Sequence, residues 1–76
     1  MEDLVLTIVR GLVDYPDDVR VKVTEDETSI LYELTVHPDD VGKVIGKGGR
    51  IIKAVRVVVT TAQARSGKRI AVEIAS

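Results

Sequence analysis

Seventy-six residues predict one domain, residues 1–76, whose small size leaves a thin margin of stability and makes association with a second copy or a partner expected. Apolar residues make up 45% and charged residues 30%, with no cysteine, which excludes disulfides and thiolate metal sites. The net charge of −1 hides an asymmetry: residues 1–42 carry 11 acids and 3 bases, residues 43–76 carry 8 bases and the single acid Glu73, which points to a face that attracts an anion.

Residues 2–14 read as an amphipathic helix, because Leu4, Val5, Ile8, Val9, Leu12 and Val13 recur at three- and four-residue steps. Glu2 and Asp3 stand where a secretory signal carries bases, and Arg10 interrupts the apolar stretch, so no signal peptide is expected. The uncharged apolar runs are also too short to span a bilayer, and a soluble cytoplasmic protein is the expectation. Gly11 weakens the helix, and Asp14-Tyr15-Pro16-Asp17-Asp18 ends it.

Residues 19–24 alternate, with Val19, Val21 and Val23 on one face and Arg20, Lys22 and Thr24 on the other, as in a half-buried strand. A polar turn, residues 25–28, leads to a second alternating strand over residues 29–37, with Ile30, Tyr32, Leu34 and Val36 inward. Pro38 suits the first position of a short helix running to Ile45, with Asp39 and Asp40 complementing its positive end. A long helix follows over residues 50–65, its core arc formed by Ile51, Ile52, Val55, Val58, Val59 and Ala62. The three successive valines from Val57 lower its intrinsic propensity, so tertiary packing must hold it. Gly67 is a natural C-terminal stop, and residues 69–74 form a last strand with Ile70, Val72 and Ile74 inward. The predicted class is α+β in the order α-β-β-α-α-β, a three-stranded mixed sheet with three helices packed on one face.

Between the last two helices lies VIGKGGRII, residues 44–52. Gly46, Gly48 and Gly49 free the backbone for close approach by phosphates, and Lys47 places a charge inside the turn. The first N–H groups of the next helix, around Arg50 and Ile51, face the same space. Lys43 flanks the turn, and Lys53 and Arg56 extend the cationic track. Val44, Ile45 and Ile52 are expected as an apolar floor for bases. A glycine-rich helix–helix turn with no ligand is the bland alternative. A Walker loop is excluded, since three residues separate Gly42 from Gly46 and Gly48 follows Lys47. The third glycine of a dinucleotide fingerprint is absent from its fixed offset. His37, the one histidine, reads as a strand-exit or capping residue. No metal-ligand spacing and no nucleophile–base motif is present, so no cofactor and no catalysis are expected.

The chain resembles the type II KH domains, and within them the small bacterial stand-alone KH-domain RNA-binding proteins. The likeness lies in LVLTIVRGLVDYPDDV, ILYELTV, VGKVIGKGGRIIKAVR and KRIAVEIAS, almost the whole length. Only 27 residues follow Gly49, room for one helix and one strand, as type II requires. The resemblance implies a GXXG clamp at Gly46, Lys47, Gly48 and Gly49 that holds about four nucleotides, with groove residues Val44, Ile45 and Ile52. It also implies a role in post-transcriptional regulation as an RNA chaperone-like factor, self-association, and pairing with a larger KhpB-like protein. Val57, Thr61 and Ala64 are small or apolar away from the core arc of the long helix and are the candidate dimer contact. Single-stranded DNA binding, or a role mainly in assembly with another KH-domain protein, are the alternatives.

Overall fold

The computed structural model describes residues 1–75; Ser76, the last letter of the matched KRIAVEIAS, lies outside the described residues. Helix α1 spans Glu2–Arg10, strand β1 Arg20–Glu25 and strand β2 Ser29–Thr35. Helix α2 spans Val41–Ile45, helix α3 Arg50–Ala62 and strand β3 Arg69–Ala75. The sheet is mixed, in the order β1-β2-β3: β2 pairs antiparallel with β1 and parallel with β3. This is the α+β class and the α-β-β-α-α-β order expected from the sequence, and the α2–α3 pair forms the crossover between the two parallel strands.

Alternation along β2 decides which face is covered. Ile30, Tyr32 and Leu34 are buried, and so is Val72 on β3. Val5 and Val9 from α1, Val55 and Val59 from α3, and Val44 from α2 close over them. Apart from Tyr32 the core is wholly aliphatic. The Tyr32 phenol oxygen accepts a hydrogen bond from Gln63 Nε2 at 3.1 Å, which offsets the cost of burying a hydroxyl. On the opposite face Leu31 lies half-buried between Thr24 and Ala71 in the ladder.

The helix boundaries depart from the periodicity in three places. α1 ends at Arg10, four residues before the predicted stop, because the chain must turn to bring Asp14 and Tyr15 to Asp40. Pro38–Asp40 is a single 3-10 turn, leaving α2 five residues long. α3 ends at Ala62, and a separate 3-10 turn, Ala64–Ser66, follows it. Gly67, with φ of 70°, caps that turn and not the helix. Ala64 is therefore off the helix expected to carry it beside Val57 and Thr61.

Candidate nucleic-acid interface

The turn between α2 and α3 is built on three glycines with positive φ. Gly46 has φ 74° and ψ 173°, Gly48 φ 66° and ψ 18°, and Gly49 φ 77° and ψ 17°. Among the described residues, positive φ occurs only at glycine. The turn is tied by bonds from Gly46 N–H to Gly42 O (2.9 Å) and from Gly49 N–H to Gly46 O (3.1 Å). Arg50 N–H closes it on Lys47 O.

The glycines serve different purposes. A Cβ on Gly46 would stand 2.7 Å from Ile51 Cγ1, so Ile51 is the wall against which α2 ends. A Cβ on Gly48 would meet nothing within 4 Å. The backbone at Gly48 is thus open to an approaching group, and the first turn of α3 begins two residues on.

Lys47 lies in the turn, Lys53 Cε would stand 3.8 Å from a Cβ on Gly49, and Arg56 follows further along α3; all three are exposed. Among the described residues, none of them makes an ion pair. Lys53 and Arg56, three residues apart, share one flank of α3. Arg50 turns the other way and lines a groove of about 290 Å³ between α1 and α3, with Ile8, Leu12, Ile51, Ala54 and Val58. Ile45 is 36% exposed and Ile52 is half-buried against the core, so both offer some apolar surface beside the turn.

One expected ligand contact, Val44, is corrected, and another, Lys43, stands at the surface beside two acids. Val44 is 0% exposed and belongs to the core; it supports the turn and presents nothing to a ligand. The Lys43 ammonium is hydrogen-bonded to Asp14 and lies 3.7 Å from Asp40, so its charge is already partly matched. Val57 is 63% exposed, and Thr61 and Ala64 are also at the surface. Val58, expected in the core arc, is 41% exposed, and Leu12 is 38% exposed; both border the α1–α3 groove. Ala62, from the same arc, is exposed.

Of the two acids expected to complement the start of the short helix, only Asp39 lies at the surface. Asp40 is wholly buried. It accepts hydrogen bonds from Tyr15 N–H (2.9 Å) and Asp14 N–H (3.2 Å). Beside it the His37 ring stacks on Tyr15 at 4.0 Å between centroids, and His37 Nδ1 accepts from Asp39 N–H at 3.0 Å, capping the turn. His37 is thus the capping residue its position suggests. The sequence signal for Asp40 is an acid directly before a helix too short to hold itself.

Burial pushes the Asp40 carboxyl up. The bonds from Asp14 and Tyr15, with the charges of Lys43 and His37, more than offset this, so it sits below the usual 3.8. Asp26 is likewise held below 3.8, first by the hydrogen bond from Thr28 N–H and then by that from Ser29 N–H. Below pH 3.8 the unfolded chain therefore takes up protons before the folded one. The stabilisation from both groups is complete above that value and is lost as pH falls through their folded pKa values. Lys43 is raised above 10.5, mainly by its hydrogen bond to Asp14; its contribution is complete below 10.5 and lost above. Urea unfolding across pH 2–6 should show an acid limb that is shallower in Asp40→Asn than in wild type. Superimposable limbs would contradict the burial of a charged Asp40.

Among the described residues, no helix is long and apolar enough to cross a membrane.

The family model described as KhpA/KhpB, KH domain, matches residues 2–74. RNA-binding protein KhpA of Oceanobacillus iheyensis is 53% identical over 74 residues, covering 97% of this chain and 99% of that protein. RNA-binding protein KhpA of Clostridium acetobutylicum is 51% identical over the same shares. That of Bacillus subtilis is 49% identical, over 97% of this chain and 91% of its own. No solved structure matches the chain.

Proposed function

The chain belongs to the KhpA/KhpB KH-domain family, a family of binding proteins and not of enzymes, and on that footing we propose that it is a single-stranded RNA-binding protein whose Gly46–Gly49 turn clamps the sugar-phosphate backbone. The observation that carries the reading is the open backbone at Gly48, flanked by Lys47, Lys53 and Arg56 without ion-pair partners among the described residues. The names of the relatives, RNA-binding protein KhpA, support the choice of RNA. Phosphates rest against Gly48 and the first N–H groups of α3, where the helix end adds positive potential. Ile45 and Ile52 supply apolar contact for bases; with no aromatic ring at the turn, stacking contributes little. About four nucleotides are held, in the cytoplasm, in a post-transcriptional role of the RNA chaperone kind.

Neutralising about two to four phosphates gives a log–log salt slope of roughly −1.4 to −2.8 for a single strand. Raising salt from about 50 to about 200 mM should then weaken binding roughly 7- to 50-fold. Fluorescence anisotropy of a labelled single-stranded RNA at those two concentrations tests this. Binding insensitive to salt, or equal binding of a duplex, would count against the clamp.

So weak an electrostatic hold favours two domains on one RNA, since a second linked site gains from effective concentration. Self-association is accordingly part of the proposal. Val57 and Val58 expose apolar surface on α3, and the α1–α3 groove continues it through Leu12 and Ala54. A second copy covers this face, and the KH domain of a larger KhpB-like protein, sharing the family, is the heteromeric occupant. Val57→Glu should shift the protein from dimer to monomer in analytical ultracentrifugation while leaving the affinity of one domain for a four-nucleotide RNA unchanged. A dimer that survives Val57→Glu would remove Val57 from the interface.

A further inference from the structure

α2 has five residues, and an isolated helix of that length does not persist in water. Its placement, and with it the placement of Gly46–Gly49, must come from contacts with the rest of the molecule. Val44, buried, and Val41, half-buried against the core, supply the apolar ones. The polar ones are few. From His37 to Gly49, the hydrogen bonds that reach another part of the chain are those from Asp14 N–H and Tyr15 N–H to Asp40 and that from Lys43 to Asp14. Both ties end on the loop after α1, and Asp40 is the one charged or polar residue among the described residues with its surface wholly buried.

We propose that Asp40 is the positioning residue of the clamp: its carboxylate docks the start of α2 onto the loop after α1, with Lys43–Asp14 as a second tie one turn further on. The inference rests on the RNA-clamp reading for its functional consequence, but not for its structural one. The two carboxylate oxygens accept two backbone N–H groups at once. An asparagine of the same size has one acceptor oxygen and an NH₂ group, so one N–H would face a donor. α2 would then sample other positions. If the turn kept its competent geometry in about a tenth of molecules, apparent affinity would fall about tenfold.

The sign of the effect separates this role from plain electrostatics. Removing an acid beside an RNA site reduces repulsion of phosphates and should strengthen binding. A positioning role demands the opposite, weaker binding on loss of a negative charge. It also demands an unchanged salt slope, because the same phosphates are neutralised once the strand is bound.

The test compares wild type, Asp40→Asn, the clamp variant Lys47→Asp/Gly48→Asp, and Val5→Ala, which removes buried apolar atoms from α1 far from the turn. Amide hydrogen exchange and NMR line widths at Gly46, Gly48 and Gly49 are read without RNA; anisotropy with a labelled single-stranded RNA is read at two salt concentrations. The expected result is faster exchange at Gly46 and Gly49, whose N–H groups are hydrogen-bonded, and about tenfold weaker binding with an unchanged slope in Asp40→Asn, and neither change in Val5→Ala. Turn amides as protected as in wild type, or binding as tight or tighter, would overturn the inference. If Lys47→Asp/Gly48→Asp binds as wild type does, the clamp reading fails instead, and the amide exchange alone decides the role of Asp40. Should Asp40→Asn not fold, Asp40→Glu carries the same test, since it keeps the charge and displaces the two acceptor oxygens from Asp14 N–H and Tyr15 N–H; turn amides and RNA affinity unchanged in Asp40→Glu would overturn the proposal.

Discussion

Gly46→Ala should be the most destabilising single-methyl change in the chain, lowering the melting temperature by roughly 12–24 °C, the shift that about 3 kcal/mol produces in a domain of this size. Two effects combine. The backbone at φ 74° and ψ 173° belongs to a region essentially reserved for glycine, with a cost of order 1–3 kcal/mol for any other residue. The new Cβ would also lie 2.7 Å from Ile51 Cγ1 and 3.0 Å from Ile51 Cβ. Ile51 is β-branched and sits in the first turn of α3, so it cannot swing clear without moving the helix. Gly48→Ala is the control: it carries the left-handed backbone cost but meets no neighbour, so its shift should be less than half as large. Thermal melts followed by circular dichroism decide this. Equal, small shifts for the two would mean that Gly46 and Ile51 do not brace each other.

Lys47→Asp combined with Gly48→Asp should abolish RNA binding while the domain stays folded. The pair makes the mouth of the turn strongly more negative, and it sets a carboxylate where a phosphate must lie. Aspartate enters the left-handed region more readily than most residues, and the space above Gly48 is empty within 4 Å, so the turn keeps its shape. Affinity should fall by more than about tenfold, or about 1.4 kcal/mol, and the salt slope should shrink by about 0.7 for each phosphate the protein no longer neutralises. Anisotropy measures both, and a circular dichroism melt within a few degrees of wild type shows that folding is intact. A folded double variant that binds normally would make the turn a structural joint only.

Much of this architecture is legible in the sequence because its elements repeat a simple pattern. Alternation places Ile30, Tyr32 and Leu34 on one face of β2, and they are the buried residues there. Steps of four place Val5 with Val9 and Val55 with Val59 in the core. What periodicity does not supply is the tertiary reason for an ending. Leu12 and Val13 continue the apolar pattern of α1, but the helix stops at Arg10 so that the loop can reach a buried carboxylate 25 residues beyond Tyr15. Asp40 itself looks like any acid before a helix, since burial depends on what folds over it. Val44 and Ile45 are adjacent and equally apolar, yet one is core and the other surface, a distinction set by the phase of a five-residue helix too short to show a period. Val58 marks a further limit: its place on the wheel is apolar, and what it faces is a groove open to solvent in the single chain.

RNA binding at the Gly46–Gly49 turn is tested most directly by an NMR titration of uniformly ¹⁵N-labelled protein with a short single-stranded RNA. The largest amide shifts should fall on Gly46, Lys47, Gly48, Gly49 and the first turn of α3, with Lys53 and Arg56 following. Shifts concentrated instead on the α1–α3 groove at Leu12, Ala54 and Val58, or absent throughout, would contradict it.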